Sequence, residues 1–320
     1  MKKLFASLVT SALLVGAVHA QTPAGKPGTL VVPFPPGGST DQLARAIAPK
    51  LAERTGQNWV VDNKPGATGA IGAGQVKRAP ADGNTLLVAS IAVWAVNPHM
   101  QKSLAYDPSK DFDLLTVAVR APNVLVAAPG FSANSIADLV DLMKRNPDKV
   151  TFANSGTGSS DHLTAALFWQ RAAVDGVHIP YKGGAPAVTD LLGGQVDVSF
   201  QNINAVLQHI KAGKLKALAI TGDKRSPLLP NVPTLSESGV KDADVYSWQA
   251  IAAPRGLPAD VKAKLHAALV AAINDPSVRP KMLEQGFEIV ANTPEEFARF
   301  QQQELARWKA VIDTGRISAD

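Results

Sequence analysis

The sequence predicts an α/β protein, and three observations carry that expectation. Short apolar runs of strand length recur along the chain, at 30–32, 59–61, 85–89, 124–127, 150–153, 177–179, 196–200 and 215–221. Longer stretches with helical spacing separate them, such as Leu43, Ile47 and Leu51, or Val261, Leu265, Leu269 and Ile273. Strands without polar alternation, each followed by a helix, imply parallel sheets covered on both faces. With 320 residues, 46% of them hydrophobic and 18% charged, the chain has room for two domains and too much apolar content for disorder.

Taken in order, the first element is a leader. Met1-Lys2-Lys3 is basic, 4–18 is mainly apolar, and Val18-His19-Ala20 places small residues at the positions a signal peptidase reads. The run is shorter than the ~20 residues of a membrane-spanning helix. The expectation is a secretory signal, residues 1–20, cleaved after Ala20; the rival is a buried or anchoring N-terminal helix. A lipid anchor is excluded because no Cys follows. The first strand–helix unit begins after a Pro- and Gly-containing lead at 21–28. At the other end, Thr293-Pro294-Glu295-Glu296 reads as an N-cap, Pro at the first helical position and a capping-box Glu. Phe297, Phe300, Leu305, Trp308 and Ile312 then share one face of the last helix, as core does. Pro-rich stretches near 98–108 and 226–233 are the expected crossings between two lobes.

Composition narrows the function. The chain contains no Cys, which excludes disulfide scaffolds, thiolate metal sites and thiol nucleophiles. Loss of Lys2 and Lys3 with the leader takes the net charge from +5 to +3, and the remaining basic residues are scattered, so no nucleic-acid partner is expected. Neither Gly-x-Ser-x-Gly nor His-Glu-x-x-His occurs, and no two histidines after the leader have metal-ligand spacing.

Two segments have the composition of an anion cradle. Phe34-Pro35-Pro36-Gly37-Gly38-Ser39-Thr40-Asp41 follows the first strand, and Asn154-Ser155-Gly156-Thr157-Gly158-Ser159-Ser160-Asp161 follows the 150–153 strand. Ligands of parallel α/β sheets bind where strand ends meet helix starts, because helix starts offer unpaired amides and a positive dipole end. Glycines let that backbone approach a ligand. Each segment alone is also ordinary turn chemistry; the pair suggests two helix starts facing across a cleft. Neither matches a dinucleotide fingerprint or a phosphate loop, since Asp161 stands where a third Gly belongs and no Gly-Lys-Ser/Thr follows. His162, just after the second segment, leaves open a hydrolase in which Ser39 or Ser155 pairs with it, or a polar residue that merely orders the cleft.

The blocks Pro33 to Asp41, Val60-Val61-Asp62-Asn63-Lys64-Pro65-Gly66-Ala67-Thr68-Gly69, Tyr106-Asp107-Pro108, the 154–163 loop, Ile179-Pro180-Tyr181-Lys182-Gly183-Gly184-Ala185-Pro186 and Leu229-Pro230-Asn231-Val232-Pro233 resemble, in order, the substrate receptors of tripartite tricarboxylate transporters, the Bug-type periplasmic binding proteins. The resemblance implies a two-lobe, flytrap-like α/β fold with a mainly parallel sheet in each lobe. The lobes would be 24–104 plus 226–320, and 105–225. It implies a monomeric, non-enzymatic periplasmic receptor for a small carboxylate (di- or tricarboxylate, amino acid or aromatic), needing no cofactor and no metal. Its partner would be a membrane permease with one large and one small subunit, or a sensor kinase in a signalling variant. The ligand-binding positions it implies are Phe34, Gly37, Gly38, Ser39, Thr40, Asp41, Ser90, Ser155, Gly156, Thr157, Gly158, Ser159, His162, Gly183 and Asp197. Two departures stand out. Trp94 replaces a small polar residue or His; it either lines the cleft, hinting at an aromatic or bulky ligand, or packs within the first lobe. Ala165-Ala166 replaces a Gly-Glu pair and removes a helix carboxylate.

Overall fold

The computed structural model describes residues 26–315 and 317–318; the expected leader and its cleavage point lie outside the described residues. The first part of the chain forms β1 (Gly28–Val32), α1 (Ser39–Thr55), β2 (Trp59–Asn63), a tight turn at Ala67–Gly69, α2 (Ala70–Lys77), β3 (Thr85–Ser90), a π-helical turn at Ala92–Val96 and α3 (Asn97–Met100). A long β4 (Phe112–Ala127) follows, then α4 (Ile136–Arg145), β5 (Thr151–Asn154), α5 (Ser160–Ala172), β6 (Val177–Pro180), α6 (Gly184–Leu192), β7 (Val198–Asn202), α7 (Ile203–Lys211) and β8 (Lys216–Ile220). The chain closes with β9 (Tyr246–Pro254), α8 (Ala259–Ile273), α9 (Arg279–Glu284), β10 (Glu288–Ile289) and α10 (Pro294–Gly315).

The strands run in the order β2-β1-β3-β9-β4-β7-β5-β6, with β8 and β10 also on β4. Alternate strand residues serve opposite faces, as a pleat requires. Leu30, Val32, Leu86, Val88, Val124 and Val126 join one core cluster, whereas Val31, Leu87, Ala89, Leu125 and Ala127 join the other. Both faces are covered, which is why the strands read as unbroken apolar runs.

The parallel portions are those the sequence predicts: β1 lies between β2 and β3, and β5 between β6 and β7. The antiparallel portion was not foreseen, so each half is a mixed sheet. β4 is antiparallel to β9 over 112–122 and to β7 and β8 over 123–127. The change of partners therefore falls between Pro122 and Asn123. The return falls at Val245-Tyr246, where Val245 N donates to Thr221 O at 3.0 Å and Tyr246 takes its register opposite Pro122. Both points are later than the expected boundaries at 104/105 and 225/226. One continuous strand serves two halves without a loop, and Pro122, which has no N–H to give a ladder, stands where the partners change. The 98–108 stretch stays in the first half, where Tyr106 Oη donates to Val93 O at 2.8 Å.

The capping box forms as written: Thr293 N donates to Glu296 Oε2 (2.9 Å) and Glu296 N to Thr293 Oγ1 (3.2 Å). α10 then covers the first half, and Val311 O accepts from Gln170 Nε2 of α5 at 3.2 Å, tying it to the second. Among the described residues no helix is long and apolar enough to cross a membrane.

Candidate functional site

Four helix starts meet between the two halves. α1 begins after Gly38, α6 after Gly183 and α7 after Asn202, and none of these three receives a side-chain cap. α5 begins after Ser159, whose Oγ accepts from His162 N at 3.4 Å. The leading amides of a helix have no partner within it, so the convergence concentrates amide hydrogens and positive dipole ends in one place.

Hydrogen bonds across the cleft establish that convergence. Ser39 Oγ reaches Asn202 Oδ1 at 2.9 Å and Asn204 Oδ1 at 3.0 Å, and Asn204 Nδ2 donates back to Gln42 Oε1 at 2.8 Å. Thr68 Oγ1 donates to Thr157 O at 2.8 Å. Within the second half, Asn202 Nδ2 lies 3.5 Å from Ser160 Oγ, joining the starts of α7 and α5. A β-carbon on Gly184 would stand 3.3 Å from Ser155 Oγ, and one on Gly183 would stand 3.7 Å from Pro35. The halves are thus in contact, loop against loop.

Each Gly-rich loop is locked from behind by an aspartate in the following helix. Asp41 is buried and accepts from Gly37 N (2.9 Å), Arg45 Nε (2.9 Å) and Asn63 Nδ2 (3.0 Å). Burial pushes its carboxyl up, but these donors outweigh it and hold the group below the ordinary carboxylate range. Asp161, also buried, accepts from Ser155 N and Ser155 Oγ, both at 2.7 Å, and from Gln201 Nε2 at 3.2 Å. With no cation beside it, burial raises its carboxyl. Gly156, at φ +125°, supplies the left-handed turn that a side chain would resist, and its N–H donates to Asn154 Oδ1 at 3.0 Å.

His162 works behind the loop. Its Nδ1 accepts from Gly158 N at 3.1 Å, and its ring centroid lies 4.1 Å from that of His178. Burial lowers His162 to about 4; burial, reinforced by His162, lowers His178 to about 3. Both rings are neutral at pH 7.

The structure brings the segments Phe34 to Thr40, Ser155 to Ser159 and Gly183 together where the halves meet, whereas Ser90 ends β3 in register with Gln249. One expectation is corrected, and two readings that the sequence leaves open are decided. Asp197 does not line the cleft: its Oδ2 accepts from Thr151 N (2.8 Å) and Thr151 Oγ1 (2.7 Å) at the amino end of β5 and β7. That end is about 16 Å along the strand from Asn202, at ~3.3 Å per residue. Trp94 is fully buried, with Nε1 donating to Ala89 O at 2.9 Å and edge contacts to Phe112 and Phe297; it is core and says nothing of an aromatic ligand. Neither Ser39 nor Ser155 pairs with His162: Ser39 bonds the asparagines and Ser155 bonds Asp161.

Thr68, Asn123, Gln201, Asn202 and Asn204 were missed. Asn123 Nδ2 donates to Thr164 Oγ1 at 3.0 Å, and Asn123 Oδ1 accepts from Asn202 Nδ2. Gln201-Asn202-Ile203-Asn204 is a further strand-to-helix junction, and it carries no glycine to mark it in the sequence. Among the described residues no group of three or more His, Asp or Glu is placed to hold a metal.

Two α/β halves joined by a shared strand, with helix starts gathered in the cleft between them, define the periplasmic-binding-protein class of fold. The chain belongs to the tripartite tricarboxylate transporter family receptors (TctC), whose profile matches residues 43–316. Bordetella pertussis BugT is 37% identical over 309 residues, covering 96% of this chain and 95% of BugT. A solved R. palustris protein with adipate is similar at TM-score 0.87 and 36% identity, covering 91% of this chain and 98% of that one. MatC from Rhodopseudomonas palustris with bound malate gives TM-score 0.84 and 32% identity, covering 89% and 98%.

Proposed function

We propose that this chain is exported by cleavage after Ala20, binds a small carboxylate-bearing metabolite between its two lobes, and delivers it to a membrane permease. The observation that carries this reading is the meeting of four helix starts, contributed by both halves, in one cleft. The loops contain no cationic side chain, and Arg45, the nearest guanidinium to the first loop, is already engaged by Asp41. Amides and hydroxyls are then the groups that hold the carboxylate: the N–H groups of Gly38, Ser39 and Thr40 on one side and of Thr157 on the other, with the Thr40 and Thr157 hydroxyls. Gly37, Ser155, Gly156, Gly158, Ser159 and Gly183 donate their N–H within the protein and line the cleft beside Phe34. Asp41 and His162 shape these loops from behind. The adipate and malate bound by the two R. palustris proteins support a carboxylate here.

Charge-assisted hydrogen bonds contribute about 1.5–3 kcal/mol each. A few of them reach the ~8 kcal/mol of micromolar binding once the ordering of two lobes is offset. The test is thermal unfolding of residues 21–320 with adipate, malate, citrate, glutamate and benzoate, against a sugar and a polyamine. At least one carboxylate raises the melting temperature. Stabilisation by the sugar or polyamine alone defeats the reading. Mass spectrometry of solute released on denaturation identifies the natural ligand, and a kinase co-purifying in place of a permease reassigns the receptor to sensing.

A further inference from the structure

Behind the cleft, where the two chain crossings meet α10, lies a groove of about 860 Å³. Its walls belong to different halves. Asp223 and Asp244 sit on the 221–245 segment, which is bonded to the second half through Thr221 N to Asn123 O (2.9 Å) and Leu235 N to Ile220 O (2.9 Å). Glu288 and Arg299 sit on β10 and α10 of the first half. Arg120 of β4 bridges them: its guanidinium lies 4.1 Å over the Tyr246 ring and its Nε donates to Glu288 at 2.8 Å. Tyr246 Oη completes the chain by donating to Asp223 Oδ1 at 2.7 Å. Rotation of one half against the other therefore reshapes this groove as it opens the cleft.

The lining is charged against the sign of the whole chain. Its carboxylates are those of Asp223, Asp244, Glu288, Glu296 and Glu304, and its guanidiniums are those of Arg120, Arg299 and Arg307. Five acids against three bases leave an acidic concavity on a chain of net charge +5. The Asp244 carboxylate has no partner among the described residues, while Tyr246 and Phe300 offer half-buried rings of the kind that anchor protein interfaces.

We propose that this groove docks a Lys- or Arg-bearing loop of the membrane protein that receives the closed receptor. This rests on the receptor reading above. Because the groove and the cleft share the same hinge, occupation of one changes the affinity of the other, and reciprocally.

The absence of Cys makes the test clean. Gln303→Cys, on the exposed face of α10 at the groove, carries a thiol-linked photo-cross-linker on the full chain in producing cells. The expected adduct is a basic loop of an integral membrane protein, mapped by peptide mass spectrometry. Adding Asp244→Lys cuts its yield at least fivefold while leaving the ligand-free melting temperature and the carboxylate-induced shift unchanged. The proposal is overturned by absence of an adduct, by adducts on acidic or neutral segments only, by equal yield from Val60→Cys on the remote β2, or by indifference to Asp244→Lys. Failure of every carboxylate to shift the melting temperature instead removes the receptor reading itself.

Discussion

Thr68→Val isolates the free energy of lobe closure. Thr68 belongs to the first half, at φ +50° within the run Gly66–Gly69, and its hydroxyl bonds Thr157 O of the second half at 2.8 Å. Valine keeps the β-branch and removes only the donor. The Thr157 carbonyl is half-buried, so water replaces the lost partner and the loss is about 1 kcal/mol rather than the full cost of an orphaned group. At 1.4 kcal/mol per tenfold, ligand affinity falls about fivefold if the bond exists only in the closed form. Calorimetric titration with a carboxylate that stabilises the wild type reads the affinity, and a melt of the ligand-free protein reads the scaffold. The expected pattern is weakened binding with an unchanged ligand-free melting temperature. A drop of about 2–4 °C in that temperature with unaltered affinity refutes the reasoning, because the bond would then belong to a permanent scaffold.

Two further predictions concern the residues around the cleft. The folded-state value of His162, about 4, lies below the ordinary value near 6.5. Between those limits the unfolded chain binds the proton first, so acidification weakens the fold by up to about 3 kcal/mol. His162→Gln reduces the slope of urea-unfolding stability over pH 6.5 to 4 without abolishing it, because burial still holds His178 low and its share of the fall remains. Trp94→Ala destabilises by about 3–5 kcal/mol in urea unfolding, as truncation of a fully buried Trp does; ligand preference of the folded protein stays unchanged, and a changed preference would return Trp94 to the cleft.

Much of the site was legible before any coordinates because its chemistry is backbone chemistry. Gly37, Gly38, Gly156 and Gly158 mark places where a turn precedes a helix, and that is a local property of the chain. Side-chain roles were less legible. Asp41 and Asp161 occur in both Gly-rich segments and look like ligand groups, yet both turn inward onto loop amides. Asp197 sits on a cleft-forming strand but at its amino end, and a strand's apolar pattern carries no label for its direction relative to a neighbour.

By itself the sequence determined the repeated strand–helix units, the two anion-cradle turns and the capped final helix, because propensity, periodicity and turn geometry act over a few residues. Only the tertiary structure decided that β4 serves both halves, that β9 lies antiparallel between β3 and the first part of β4, and that Asn202, Asn204 and Thr68 meet the loops. These are pairings between residues as far apart as Ser39 and Asn202, and what selects them is the burial of two sheet faces at once, a constraint that exists only when the whole chain is folded.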